Sequence, residues 1–313
     1  MELLSPQIIE KVALIAPLGL RFHDAATGAI VGDGLDVSIY PANDELKERV
    51  RTAVPNRIGV YVLHRAAGLR NLAPGTSEED FWNSNPPGKS FVVEVLDEER
   101  RFQPFQFTVN LPVRGVYQWE NSAAVSPPGR GLSSIPLYSA PTRKVLGGMA
   151  VVRAEMFDAA ANRTASFAVV EAHFAGRLAA RGIADGDGKL ALIFPQLPPN
   201  AAPLGSPPVP TGALALTKQF WQLDLTVKYQ PSNSFVVASP PTETLNQAGG
   251  LPDLRVALAQ NRGKIWADSG QTEELTEVTL RYGEELILRS RAAVLSPPDD
   301  TARLSKLFVS PAI

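Results

Sequence analysis

Few residues in this chain have the type and spacing to do chemistry, and each such group also has a plain structural reading. The histidines are His23, His64 and His173, each in or beside an expected strand with no partner nearby in sequence. A histidine metal site needs two or three imidazoles converging, backed by a carboxylate shell. Asp185-Gly186-Asp187-Gly188 opens like a calcium loop, because alternate short carboxylates converge on a hard cation. Lys189 follows, however, and Gln196 stands where the twelfth-position glutamate belongs, so a tight turn is the expectation.

The acidic groups Glu78-Glu79-Asp80, Asp97-Glu98-Glu99 and Asp299-Asp300 are adjacent in sequence. Neighbours on a strand face opposite ways, so none makes an acid–base dyad by itself, and solvated turns are expected. Trp82, Trp119, Trp221 and Trp266 could form a sugar-stacking platform or could pack in cores; Trp221, inside an alternating run, reads as a strand residue. A nucleophile elbow, a His-Glu-x-x-His pair and a phosphate loop are absent from the sequence. A hydrolase with triad partners scattered along the chain stays formally open. The expectation is no enzyme, no catalytic, cofactor-binding or metal residues, and no cofactor.

Composition narrows the class further. The chain has 313 residues, 44% of them hydrophobic, which is enough for two or three domains with real cores. Its 30 basic and 32 acidic residues leave a net charge of −2, against a nucleic-acid partner, which rewards a basic face. No cysteine is present, which removes disulfides, thiolate metal sites and cysteine nucleophiles. Residues 1–16 lack a basic n-region, and no apolar run reaches the ~18 residues of a membrane span. A cytoplasmic protein without direct membrane insertion is expected.

The 27 prolines and 24 glycines punctuate short apolar runs, the pattern of a mainly β protein. Strands are expected at Leu35–Tyr40, Phe91–Val95, Phe102–Val109, Ala150–Glu155, Phe167–Ala172, Leu190–Phe194 and Phe220–Val227. Pro104 places its run at a sheet edge or bulge. Short helices are expected near the N-terminus after Ser5-Pro6, at Asp44–Arg51 and at Pro252–Gln260.

The organisation reads as an N-terminal docking segment (1–16), a β-sandwich domain (17–125), a linker (126–134), a second sandwich (135–230) and a C-terminal β-rich portion (231–313). Within it, the proline-rich stretch 198–212 is a long loop. The segment around Leu304–Pro311 suits strand addition, to the chain's own sheet or a partner's.

The two halves rhyme. Leu20–Gly28 and Ala154–Asn162 each run a strand into an Asp-Ala-Ala turn. Pro55–Leu63 and Gly182–Leu192 each place a turn before an apolar strand. This order suggests a duplicated β-module.

At Gly182-Ile-Ala-Asp-Gly-Asp-Gly-Lys-Leu-Ala-Leu192 the chain resembles the carboxypeptidase-regulatory-like modules, a family of transthyretin-like, Ig-like seven-stranded sandwiches. Its signature is a strand, an Asp-x-x-Gly turn and an apolar strand. A wider resemblance rests on Leu20–Gly28, Pro55–Val60, Phe102–Phe105 with Leu111–Gly115, Pro136–Arg143 and Leu280–Leu288. These stretches are similar to proteins of phage-tail-like contractile injection system clusters. That resemblance implies a non-enzymatic structural or adaptor subunit, made in the cytoplasm and assembled into a particle. Its partners would be tube, sheath, baseplate or cap subunits, with oligomers formed only in the assembly. A module binding glycans or surface proteins is the rival reading.

Overall fold

The computed structural model describes residues 16–44, 47–66, 69, 77–119, 133–145, 147–197, 219–231, 236–237, 250–292 and 305–312. The fold is mainly β, with two short helices among the described residues. No helix there is long and apolar enough to cross a membrane.

The first half contributes β1 (Leu18–Asp24), β2 (Ile30–Val31), β3 (Leu35–Pro41), β4 (Arg51–Thr52), β5 (Val54–Pro55) and β6 (Val60–Leu63). Helix α1 (Glu78–Asn83) follows, then β7 (Lys89–Asp97), β8 (Phe105–Leu111) and β9 (Ile135–Leu137). One sheet runs β2-β1-β6-β5, with β9 joining β1 in parallel; the other runs β4-β3-β7-β8. Period-two alternation explains the pair. In β3, Leu35, Val37 and Ile39 point inward while Asp36 and Ser38 point out. Inward residues of both sheets, among them Phe22, Val37, Tyr61, Val93 and Phe107, share one core. Burying each such side chain is worth about 1.5–3 kcal/mol.

The second half contributes β10 (Met149–Asp158), β11 (Arg163–Thr164), β12 (Val169–Phe174), β13 (Arg177–Ile183), β14 (Lys189–Pro195) and β15 (Phe220–Lys228). Then come β16 (Val236–Val237), β17 (Leu251–Pro252), helix α2 (Leu254–Leu258), β18 (Arg262–Trp266), β19 (Glu277–Arg281), β20 (Glu285–Leu288) and β21 (Leu307–Pro311). Strand β10 pairs antiparallel with β14 and parallel with β20 and β21. Strand β15 pairs with β12, β18 and β19, and β18 with β21. The β18–β21 ladder thus makes one continuous curled sheet around a second core that includes Val152, Leu192, Trp221's neighbour Leu223, Ile265 and Val309.

The limits of the hydrogen-bonded sheets differ from the sequence boundaries at 134 and 230. Strand β9 belongs with β1, and β18–β21 complete the sheet begun by β10. Within the stretch read as suited to strand addition, Leu307–Pro311 add β21 to the chain's own sheet; Leu304 lies outside the described residues.

The two halves share a local strand arrangement. Strands β1 and β10 each turn back into a two-residue strand, β2 or β11, and each takes a parallel strand, β9 or β21, alongside. Strands β6 and β14 pair with them antiparallel. Both also end on a buried aspartate: the Ala26 N–H donates to Asp24 and the Ala161 N–H to Asp158.

Two expectations at the level of single elements change. Residues 47–50 form no helix and 51–52 are strand β4; residues 45–46 lie outside the described set. Glu78-Glu79-Asp80 is the first turn of α1, where Ser77 and Asp80 make a reciprocal capping box and the acids face the positive end of the helix dipole. Pro104 lies outside the strand it was expected to interrupt: β8 begins one residue later, and β8 is the last strand of its sheet. The N-terminal helix and the 198–212 loop lie outside the described residues.

Candidate functional site

The residues that drew attention for chemistry are dispersed. The His23 Nδ1 lies 2.8 Å from the Ser134 hydroxyl, His64 is exposed, and His173 Nε2 is 3.9 Å from Glu171. Among the described residues no three His, Asp or Glu side chains converge as a metal site. The tryptophans occupy four different places: Trp82 on α1, Trp119 in the first core, Trp221 buried in β15, and Trp266 on β18, where its indole donates to Ser310. Asp185 caps a turn, accepting the N–H groups of Asp187 and Lys189 at 2.9 and 2.8 Å.

Two features built by several elements stand out among the described residues. One is the junction between the halves. Val169 and Ile183 belong to strands of the second sheet, and Leu254 to α2, yet all three are buried in the first core. Consecutive apolar residues explain this: Val170 faces the second core while Val169 faces the other way.

Polar contacts fix the orientation of this junction. Gln106 on β8 donates to the Leu251 carbonyl at 2.9 Å and bridges to Asp253. Arg255 lies over the rings of Trp119, 4.7 Å from the centroid, and Tyr117, whose hydroxyl its guanidinium also bonds. Such a stacked guanidinium contributes about 0.5–2 kcal/mol. Arg153 on β10 reaches back to the Pro141 carbonyl.

Charges run along the same seam. Glu171 receives Arg181 at 2.8 Å and Lys228 at 3.3 Å, and Arg181 also faces the buried Tyr138 hydroxyl after β9. Burial works to raise the Glu171 pKa, but the two cations outweigh it and hold the carboxyl below its ordinary range. Asp24 behaves alike. Burial opposes its ionisation, while Arg143, at 2.7 Å, with the Ala26 N–H and Thr27 hydroxyl, brings its pKa below the usual value.

The second feature is a groove of about 600 Å³ between β19 and β20. The two strands leave a common turn at residues 282–284 but join different neighbours, β15 and β10, and do not pair with each other. Leu275, Val278 and Leu286 form its apolar floor, half-buried against the second core. Arg281 and Arg289 stand on its rim. Nothing in the sequence distinguishes this splayed hairpin from a closed one, because its two strands alternate as a paired hairpin does.

Comparison with known proteins finds no protein family, no curated protein and no solved structure that matches the chain.

Proposed function

We propose that this chain is a non-enzymatic structural or adaptor subunit of a phage-tail-like contractile injection particle, built from two related transthyretin-like β-modules. The observation that carries an adaptor role is the junction: apolar residues of the second half, Val169, Ile183 and Leu254, are buried in the core of the first. A spacer must hold two surfaces at a fixed distance and angle, and a shared core supplies that stiffness where an exposed linker would not. The repeated turn–strand units support the module reading, and the sequence stretches similar to injection-cluster proteins supply the particle.

The test is a pull-down of the tagged chain from its native lysate, with identification of what it retains. Capture of tube, sheath, baseplate or cap subunits is expected, and is expected to weaken when Ile183→Asp disrupts the junction. Retention of glycan with no particle subunit would replace the proposal with the binding-module reading.

A further inference from the structure

The phase of the backbone hydrogen bonds fixes what faces the groove between β19 and β20. The Tyr282 N–H donates to Gln219 and the Leu225 N–H to the Thr276 carbonyl. Even-numbered residues of β19 therefore bond β15, and Thr279 turns its N–H and C=O the other way, into the gap. On the opposite side, the Met156 N–H donates to Gly188 and the Gln196 N–H to Gly148, so even-numbered residues of β10 bond β14. Its odd-numbered residues bond β20. In a parallel ladder with this register they use the backbone groups of Leu286 and Leu288, and leave those of Ile287 facing the gap. Thr279 and Ile287 thus present strand edges to the same opening.

Side chains alternate with the same phase. Val278 and Leu286 point inward to the apolar floor, and Arg281, Ile287 and Arg289 point outward. Of the three acids lining the groove, Glu285 pairs with Arg153 and Glu273 with Arg291, while Glu284 stands in the turn at the closed end. Arg281 and Arg289 form no ion pair among the described residues. Farther along this seam, β18 and β21 are paired, so the chain itself closes the seam with a strand there and leaves it open here.

We propose that the groove binds an extended peptide segment of a partner protein by strand addition, with apolar side chains turned inward and acidic side chains turned outward. Inward residues rest on Leu275, Val278 and Leu286; outward carboxylates meet Arg281 and Arg289. Both sets are needed, because a strand's side chains alternate between the floor and the rim. This proposal stands on the groove alone, and a pull-down that recovers no particle subunit leaves it intact.

The probe is a blocked hexapeptide alternating valine and glutamate, added to the full-length chain and compared with one alternating valine and lysine. Amide hydrogen exchange is read residue by residue. With the glutamate peptide, exchange at Thr279 and Ile287 is expected to slow by about tenfold or more. The lysine peptide is expected to leave it unchanged. The Arg281→Glu/Arg289→Glu double variant is expected to lose the effect while keeping its thermal midpoint. Thr279→Pro removes an N–H that faces the gap, and is also expected to abolish the slowing at Ile287, the reporter that remains; the charge reversal decides should that variant not fold. Unchanged exchange at about 1 mM glutamate peptide overturns the proposal, as does equal slowing by the lysine peptide. Slowing that appears without peptide and grows with protein concentration would assign the groove to a second copy of the chain instead.

Discussion

Asn56 and Asp185 hold the same position in two copies of one turn. The Asn56 side-chain oxygen accepts the N–H groups of Ile58 and Val60, both at 3.0 Å, and Asp185 accepts those of Asp187 and Lys189. The backbone matches too: the Gly59 N–H donates to Asn56 and the Gly188 N–H to Asp185, at 3.1 and 3.0 Å. The amide does the work in one half and the carboxylate in the other.

That substitution makes a test of charge alone. Burial pushes the Asp185 carboxyl up, despite its two N–H donors. A raised carboxyl pKa means that ionisation costs the folded state more than the unfolded one, so stability falls as pH rises through the folded value. Asp185→Asn keeps the acceptor without the charge. It is expected to be at least as stable as the parent in urea at about pH 7, with the difference closing below about pH 3.9. Asp185→Ala is expected to cost about 0.5–1.5 kcal/mol at either pH, because the two exposed N–H donors lose their acceptor but turn to water.

Gly188 has φ +77° and a Cβ there would lie 2.5 Å from the Met156 carbonyl oxygen. Strain and collision add, so Gly188→Ala is expected to cost about 2 kcal/mol or more. Its counterpart Gly59 also has a positive φ, but a Cβ would meet the Ile30 side chain at 3.1 Å, which yields more readily. Thermal unfolding of the two variants should rank Gly188→Ala as the more damaging.

The Asp24–Arg143 pair contributes an acid-sensitive share of the first half's stability. Because the folded pKa of Asp24 is depressed, the pair's contribution is present above the unfolded carboxyl pKa and lost as pH falls through the folded one. Arg143→Met leaves the buried carboxylate with only the Ala26 N–H and the Thr27 hydroxyl, and is expected to cost about 3 kcal/mol near neutrality. Its deficit relative to the parent should shrink in acid, measured as denaturant midpoints across that range.

Ile183 is 4% exposed and sits in the core of the half to which its strand does not belong. Ile183→Asp places a charge there, at an expected cost of about 3 kcal/mol or more. Calorimetry should show one cooperative transition in the parent splitting into two in this variant. Leu178→Asp on the same strand, at a position 41% exposed, is the control and should stay within about 0.5 kcal/mol.

Several strands were legible because period-two alternation follows from burial: β3, β8, β12 and β15 all lie within or beside runs read from sequence, whereas β13 and the five-residue β18 were not read despite their buried faces. Their partners were not legible. Strand β21 lies beside β10 across half the chain, and residue type alone does not set which distant edges meet. Helix α1 was hidden because an acidic first turn looks like a solvated one, although the Ser77–Asp80 spacing was a capping signal. The junction left a faint mark in the adjacent Val169 and Val170, since a strand with apolar residues on both faces has two surfaces to cover. The groove left none, because it arises from the divergence of two strands rather than from their composition.

The parallel seating of β21 against β10, with β18 on its other side, also sets an order of events in synthesis. Translation delivers β10 long before residues 307–311, so in that interval the edges of β10 and β18 that β21 joins stand open, while β14 and β15 pair with their other sides. A nascent or truncated chain in that state exposes two open edges, the form most prone to wrong pairing. Chain arrest just before this strand should therefore yield aggregates or chaperone-bound species, while the first half is already folded.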